Sequence, residues 1–327
     1  MPWSKKKVLR YIDIMNKCSR IYIAGHCGLV GSSIERKLLS KGFSNIIIRT
    51  RSQLDLANQE AVNKFFSEET LDIVIIAAAM VGGINANSSR PAEFIRNNLQ
   101  IQTNLIDAAH RSGVSKLLFL GSSCIYPRLA SQPINEGSLL SGPLEETNKA
   151  YAIAKIAGLE MCQAYRKQYG FNAICAMPTN LYGPGDNFHI EDSHVLPALI
   201  RKIHEAKISA DKGVVIWGSG NPRREFLYVD DLADACLFLV EKYNDGEPIN
   251  VGWGVDISIR ELAELISSVI GYTGKLTFDA SRPDGTPSKR LDVSKLRKIG
   301  WQAMTSLRVG VQSTYDWYLD NLKTCRS

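Results

Sequence analysis

The periodic part of the chain begins with four apolar residues, Ile21-Tyr22-Ile23-Ala24, and then breaks into Gly25-His26-Cys27-Gly28-Leu29-Val30-Gly31. Beyond that turn Ile34, Leu38 and Leu39 recur at helical spacing until Gly42, so the pattern reads strand, glycine turn, helix. Ile46-Ile47-Ile48 predicts a second strand, Val62 to Phe66 a helical stretch, and Ile73-Val74-Ile75-Ile76 a third strand. The third run lacks polar alternation, as a strand covered on both faces does. A helix near Gln100 to His110, a strand over Leu117 to Leu120 and a helix from about Ala150 to Tyr169 continue the series. Such alternation predicts an α/β fold with a doubly wound parallel sheet.

The second half is less regular and richer in Gly and Pro, from Pro178 to Pro184, from Trp217 to Arg223, and from Arg282 to Pro287. Loops of this composition at the carboxyl ends of strands are where ligands sit. Helices over Asp231 to Lys242 and Ser258 to Ile270 interrupt them, the second with Ser258 and Glu261 spaced for a capping box.

Composition narrows the class. With 327 residues, 45% of them hydrophobic and 22% charged, the chain has material for a core and two lobes. No apolar run approaches the roughly 20 residues that span a bilayer, and Met1 to Arg20 lacks the pattern of a secretory signal, so a cytoplasmic protein is expected. The seven cysteines (18, 27, 124, 162, 175, 236 and 325) are odd in number and dispersed, with no Cys-x-x-Cys pair. That argues against both a disulfide framework and a structural metal site. The net charge of +6, from 39 basic against 33 acidic residues, is spread along the chain apart from Lys5-Lys6-Lys7. It suits phosphate-bearing small molecules and lacks the concentrated stripe of a nucleic-acid binder.

Gly25, Gly28 and Gly31 are spaced G-x-x-G-x-x-G between a strand and a helix, which gives a tight turn, close approach to a pyrophosphate and close helix–strand packing. An acid that would bind ribose hydroxyls is missing after the second strand, where Arg49-Thr50-Arg51 stands instead. Guanidiniums there fit a 2′-phosphate and favour NADPH; the alternative is that they are solvated surface charges. Asp55-Leu56 would suit the adenine edge, and Ala77-Ala78-Ala79 would let a dinucleotide lie close to the backbone.

Tyr151 and Lys155 are four apart on a predicted helix and project from one face. An ammonium beside a phenol lowers the phenol's pKa, which lets it exchange a proton with a carbonyl oxygen. Ser122, just past a strand's end, can hydrogen-bond the same oxygen.

The ordered set of glycine loop, Ser122, Tyr151 and Lys155 resembles the extended short-chain dehydrogenase/reductase superfamily. Gly121-Ser122-Ser123-Cys124-Ile125-Tyr126-Pro127, Pro178 to Pro184 running on to Asp186-Asn187-Phe188-His189 and Ser193-His194-Val195, and Trp217-Gly218-Ser219-Gly220 running to Arg224-Glu225-Phe226 are similar to segments of the GDP-L-fucose synthase family. The resemblance spans roughly residues 20 to 320.

It implies a bifunctional 3,5-epimerase and NADPH-dependent 4-reductase acting on GDP-4-keto-6-deoxy-D-mannose, with Cys124 and His194 as the acid–base pair and Ser122, Tyr151 and Lys155 as the other catalytic residues. A ketone at C4 acidifies the hydrogens on C3 and C5, so one base and one acid suffice for both inversions. NADPH contacts are implied for Gly25, His26, Cys27, Gly28, Leu29, Val30, Gly31, Arg51, Asp55, Leu56, Ala78, Lys155, Pro178, Asn180 and Leu181, and sugar-nucleotide contacts for Lys202, Trp217, Arg224 and Asp284. On physical grounds alone Trp217 could be core, Arg224 a surface ion pair and Asp284 a turn former. A related nucleotide-sugar 4-epimerase or 4,6-dehydratase, or a reductase making another GDP-6-deoxyhexose, is the alternative function.

The implied organisation is an NADP-binding Rossmann domain over residues 20–180, completed by 225–252, a smaller substrate lobe from 181–224 and 253–320, and a basic extension over 1–19. A homodimer is implied as well. Two departures stand out: Cys27 occupies a position where the family usually has a basic residue, and Lys202 one where an arginine is frequent, which keeps charge but loses bidentate geometry.

Overall fold

A computed structural model describes residues 15–189, 193–282 and 284–322. Most of the basic extension, with Lys5-Lys6-Lys7, lies outside the described residues, as do Cys325 and Pro283 of the Arg282–Pro287 loop. The element order is β1 (Ile21–Ala24), α1 (Leu29–Ser40), β2 (Ile46–Ile47), α2 (Gln59–Glu68), β3 (Ile73–Ile76), α3 (Ile84–Ser89), α4 (Pro91–Arg111), β4 (Lys116–Leu120), α5 (Lys149–Tyr169), β5 (Ala173–Pro178), β6 (Asn180–Tyr182) and α6 (Val195–Ile208). It continues with β7 (Gly213–Trp217), β8 (Arg223–Tyr228), α7 (Val229–Lys242), β9 (Ile249–Val251), β10 (Asp256–Ser258), α8 (Ile259–Ile270), β11 (Lys275–Asp279), β12 (Ser288–Lys289), α9 (Ser294–Lys298) and α10 (Leu307–Asp320).

Six strands form one sheet in the order β2-β1-β3-β4-β5-β9, every pair parallel. The chain runs outward from β1 to β2 and then returns to the other side at β3, which puts the switch point and its crevice beyond the carboxyl ends of β1 and β3. Side chains alternate across the sheet. Tyr22, Val74, Ile76, Leu117 and Phe119 pack with α2, α4 and α5 on one face, while Ile21, Ile23, Ile73, Ile75, Leu118 and Leu120 pack with α1 and α7 on the other. Each such Leu or Ile contributes about 1.5–3 kcal/mol by burial.

A third core joins α6, α8 and α10 to two small sheets: β8, paired with β6, β10 and β12, and the β7–β11 pair. The capping box at the start of α8 is formed, Ser258 Oγ accepting from Glu261 N–H at 3.1 Å and the Glu261 carboxylate accepting from Ser258 N–H at 2.8 Å.

Two boundaries differ from the sequence reading. The helix placed near Gln100 starts already at Pro91, because Asn98 and Gln102 are buried polar residues that interrupt the apolar stripe; their amides donate to Phe94 O and Ala154 O. The strand expected through Ile48 stops at Ile47. Gly158 sets how closely α5 lies on its neighbours: a Cβ there would meet the Phe119 ring at 2.5 Å and the Gln102 amide at 2.7 Å.

Candidate active site

The glycine turn after β1 is built for close approach. Gly25 has φ +89°, open only to glycine without strain, and a Cβ on it would stand 2.7 Å from the Ala78 backbone at the end of β3. A Cβ on Gly31 would collide with Gly25 O at 2.1 Å, so α1 presses directly on the turn. Gly28 caps α1 without a side-chain hydrogen bond, leaving first-turn N–H groups free for an anion. His26 Nδ1 is buried with no hydrogen-bond partner among the described residues, and His26 Nε2 lies 3.3 Å from the exposed Cys27 Sγ. A cradle of this shape, with an orphaned polar atom in it, fits the pyrophosphate of a dinucleotide.

The two arginines after β2 are not equivalent. Arg49 is half-buried, pairs with Glu69 at 2.7 Å and donates to Ile48 O, so its guanidinium is engaged within the protein. Arg51 is exposed and has no ion-pair partner among the described residues. Asp55 closes its own turn by accepting from Ala57 N–H, and Leu56 O accepts from Asn104. Asn180 donates to Glu225 O at 2.8 Å, next to Pro178 and Leu181 on β5 and β6.

Ser122 and Cys124 sit in a single 3₁₀ turn after β4, Ser122 Oγ accepting from Cys124 N–H at 3.2 Å. Lys289 Nζ donates to Cys124 Sγ at 3.2 Å. Burial pushes the Cys124 thiol up, but Lys289, Ser122 and Arg224 outweigh it, and the pKa lies below the ordinary thiol value. His194 caps α6. His194 is exposed to solvent, yet partial desolvation of its ring, and then the charge of Lys289, hold its pKa below the usual imidazole value. One ammonium thus acts on both sulfur and imidazole.

Tyr151 and Lys155 lie on one face of α5, with Lys155 Nζ 5.9 Å from the Tyr151 ring centre. Lys155 is buried, donates to Leu120 O at 2.8 Å and is pushed down to about 8 by burial. The expected depression of the tyrosine is corrected: burial first, and then the charge of Cys124, hold Tyr151 above its ordinary value, with Ser122 acting the other way. The reason is distance, since Lys155 spends its hydrogen bond on a carbonyl rather than on the phenol.

Trp217 ends β7 with 65% of its surface exposed, and Arg282 lies 4.9 Å from its ring centre, so it is not a core residue. Asp284 is held by Ser219, its carboxylate accepting from the N–H and the hydroxyl at 2.8 Å each. It ties the Trp217 loop to the Arg282 loop, and Arg224 Nη2 reaches Asp284 O at 3.4 Å. Lys202 donates to Val215 O on the same side of β7. Asp284, Arg224 and the loop that follows Trp217 are thus joined, with Arg224 close enough to Cys124 to act on it, whereas the contact of Lys202 is with β7 alone.

Lys289 was missed by sequence reasoning. It stands in no periodic pattern, and only the parallel pairing of β12 with β8, Lys289 opposite Arg224, carries it to the cysteine.

Comparison with known proteins agrees with this geometry. Residues 21–252 match the model of the NAD dependent epimerase/dehydratase family. The chain is 58% identical to GDP-L-fucose synthase 1 of Arabidopsis thaliana, over 95% of this chain and 96% of that one, and 53% identical to GDP-L-fucose synthase of Escherichia coli K12, over 92% and 97%. Among solved structures, a GDP-L-fucose synthetase from Naegleria fowleri bound to NADP superposes with a TM-score of 0.88 at 28% identity, covering 96% of this chain and 98% of that one.

Proposed function

The chain belongs to the NAD dependent epimerase/dehydratase family and to its GDP-L-fucose synthases, and from that premise we propose how its residues divide the work. The enzyme inverts C3 and C5 of GDP-4-keto-6-deoxy-D-mannose and reduces C4, giving GDP-L-fucose. NADPH, when bound, supplies the hydride.

Cys124 and His194 form the acid–base pair. One removes the proton from the carbon beside the ketone, whose bonding electrons move into the C4 oxygen, and the other returns a proton on the opposite face as those electrons flow back. Lys289 favours the thiolate over the thiol and the neutral imidazole over the imidazolium, which supports Cys124 as a base. Ser122 and Tyr151 face the developing oxyanion, and preorganised donors of this kind are worth about 2.7–4 kcal/mol each. In the last step Tyr151 donates its proton to the C4 oxygen. A phenol held above its ordinary pKa remains a proton donor at neutral pH.

Gly25, Gly28, Gly31 and Ala78 hold the dinucleotide and Arg51 its 2′-phosphate, while Lys202, Trp217, Arg224 and Asp284 form the sugar-nucleotide side. The six-stranded domain carries the cofactor and the lobe around β7, β8 and α8 the nucleotide sugar.

The observation that carries this reading is the contact of Lys289 with Cys124 beside Ser122 and Tyr151. Mixing the protein with NADPH and the keto sugar and following nicotinamide absorbance tests it. Stoichiometric loss is expected, and no loss would sink the reductase.

Two coarser points join the reading. Among the described residues no helix is long and apolar enough to cross a membrane, and all six described cysteines are free, which suits a reducing cytoplasm. A homodimer, as the family resemblance implies, is part of the same proposal.

A further inference from the structure

Glu225 is a fully buried carboxylate in the middle of β8. One oxygen accepts from Gly254 N–H at 2.6 Å and the other from Leu291 N–H at 2.7 Å, and no cation pairs with it among the described residues. A Cβ on Gly252 would stand 2.1 Å from the first oxygen, so the backbone of that loop is wrapped onto the carboxylate. The main-chain oxygen of Glu225 accepts from Thr179 and Asn180, which fixes β8 to the end of β5.

Burying an uncompensated carboxylate is costly, and only a set of well-aimed donors offsets it. Here one of those donors, Leu291 N–H, belongs to the segment that carries Lys289 to the reactive centre, and the other to the loop before β10. Leu291 follows Lys289 by two residues, and Lys289 stands in register with Arg224, the neighbour of Glu225 on β8. β12 itself has only two residues, and the segment around it is also held from the other side by Ile134, which donates to Arg290 O and accepts from Asp292 N–H, and by Gln132, which accepts from Arg290 N–H; Glu225 supplies the hold from the β8 side.

We propose that Glu225 is a positioning residue for proton transfer: by accepting from Leu291 N–H and Gly254 N–H it anchors the strand that presents Lys289 to Cys124. The inference rests on the pairing of Lys289 with Cys124 described above. Glutamate is required because both oxygens face donors. A glutamine would turn an amide N–H₂ toward one of the two backbone N–H groups and release that segment.

The test uses the full chain without sugar and reads the rate of Cys124 alkylation by iodoacetamide against pH, resolved from other cysteines by peptide mass spectrometry. Four proteins are compared: wild type, Lys289→Met, Glu225→Gln and the double variant. Glu225→Gln is expected to raise the midpoint of the profile and slow alkylation at pH 7 by about fivefold or more, as Lys289→Met does, because the thiolate fraction sets the rate. If Glu225 acts through Lys289, the double variant matches Lys289→Met within about twofold.

A wild-type profile for Glu225→Gln, or multiplied effects in the double variant, overturns the proposal. A wild-type profile for Lys289→Met would instead overturn the Lys289–Cys124 pairing, and this inference with it. Retained NADPH binding reports folding. Should Glu225→Gln fail to fold, Glu225→Asp keeps both acceptors one methylene short; an upward midpoint shift there supports the proposal and an unchanged profile overturns it.

Discussion

Lys289 and Cys124 lie 165 residues apart in the chain, and the ammonium nitrogen is 3.2 Å from the sulfur. A lysine so placed lowers the pKa of the thiol and so raises its thiolate fraction. In the function proposed above the epimerising half of the reaction relies on this contact and the reducing half on Tyr151 and Lys155, so substitutions are expected to separate the two.

Cys124→Ala is expected to lower deuterium uptake from heavy water at C3 and C5 by about 10²-fold or more, the scale of a lost acid–base group. NADPH affinity should be unchanged. Mass spectrometry of recovered sugar together with a cofactor titration checks both halves, and wild-type labelling would remove Cys124 as the base.

Tyr151→Phe should behave in the opposite sense. Reduction slows by about 10²-fold or more, because the C4 oxygen loses its proton donor, while solvent exchange at C3 and C5 continues at a reduced rate. Single-turnover loss of nicotinamide absorbance, set beside deuterium labelling, separates the two; a variant that reduces at the wild-type rate would exclude the phenol.

If the Lys155 ammonium supports the reductive step from beneath Tyr151, that step is expected to have an alkaline limit. Its pKa is lowered to about 8 by burial, so the ammonium is present below that pH and is lost as pH rises through it. The rate of hydride transfer is expected to fall with an apparent midpoint near that value, and Lys155→Arg should lift the limb out of the measurable range even if the maximal rate drops. A flat profile to pH 10 in the wild type would contradict this.

Arg51→Ala should weaken NADPH binding by about tenfold or more, the loss of one charge-assisted contact to phosphate, and leave NADH binding unchanged. Arg49→Ala should instead lower thermal stability through its lost pairing with Glu69 and spare the NADPH to NADH ratio. Equal effects of the two substitutions on that ratio would reverse the assignment.

Much of this was legible in the chain because local pattern and local chemistry coincided. The apolar run of β1, the glycines behind it and the Tyr151–Lys155 spacing are each short-range signals, and β3 and α5 follow the expected ranges closely. What stayed hidden is non-local. Nothing near Lys289 in sequence marks it, since its role arises from pairing with β8. Arg49 and Arg51 look alike on paper, and only the position of Glu69 tells them apart. The tyrosine was misjudged because the direction of a lysine side chain, toward Leu120 O, is settled by the sheet beneath it.

Gly158 has no chemistry, yet it lies about two turns along α5 from Tyr151. The helix can settle against Phe119 and Gln102 only because a methyl group is missing there, so the height at which the phenol stands over the crevice is metered by an absent atom. One added carbon at that point would push the helix off the sheet and carry Tyr151 and Lys155 with it, without altering a single reactive group.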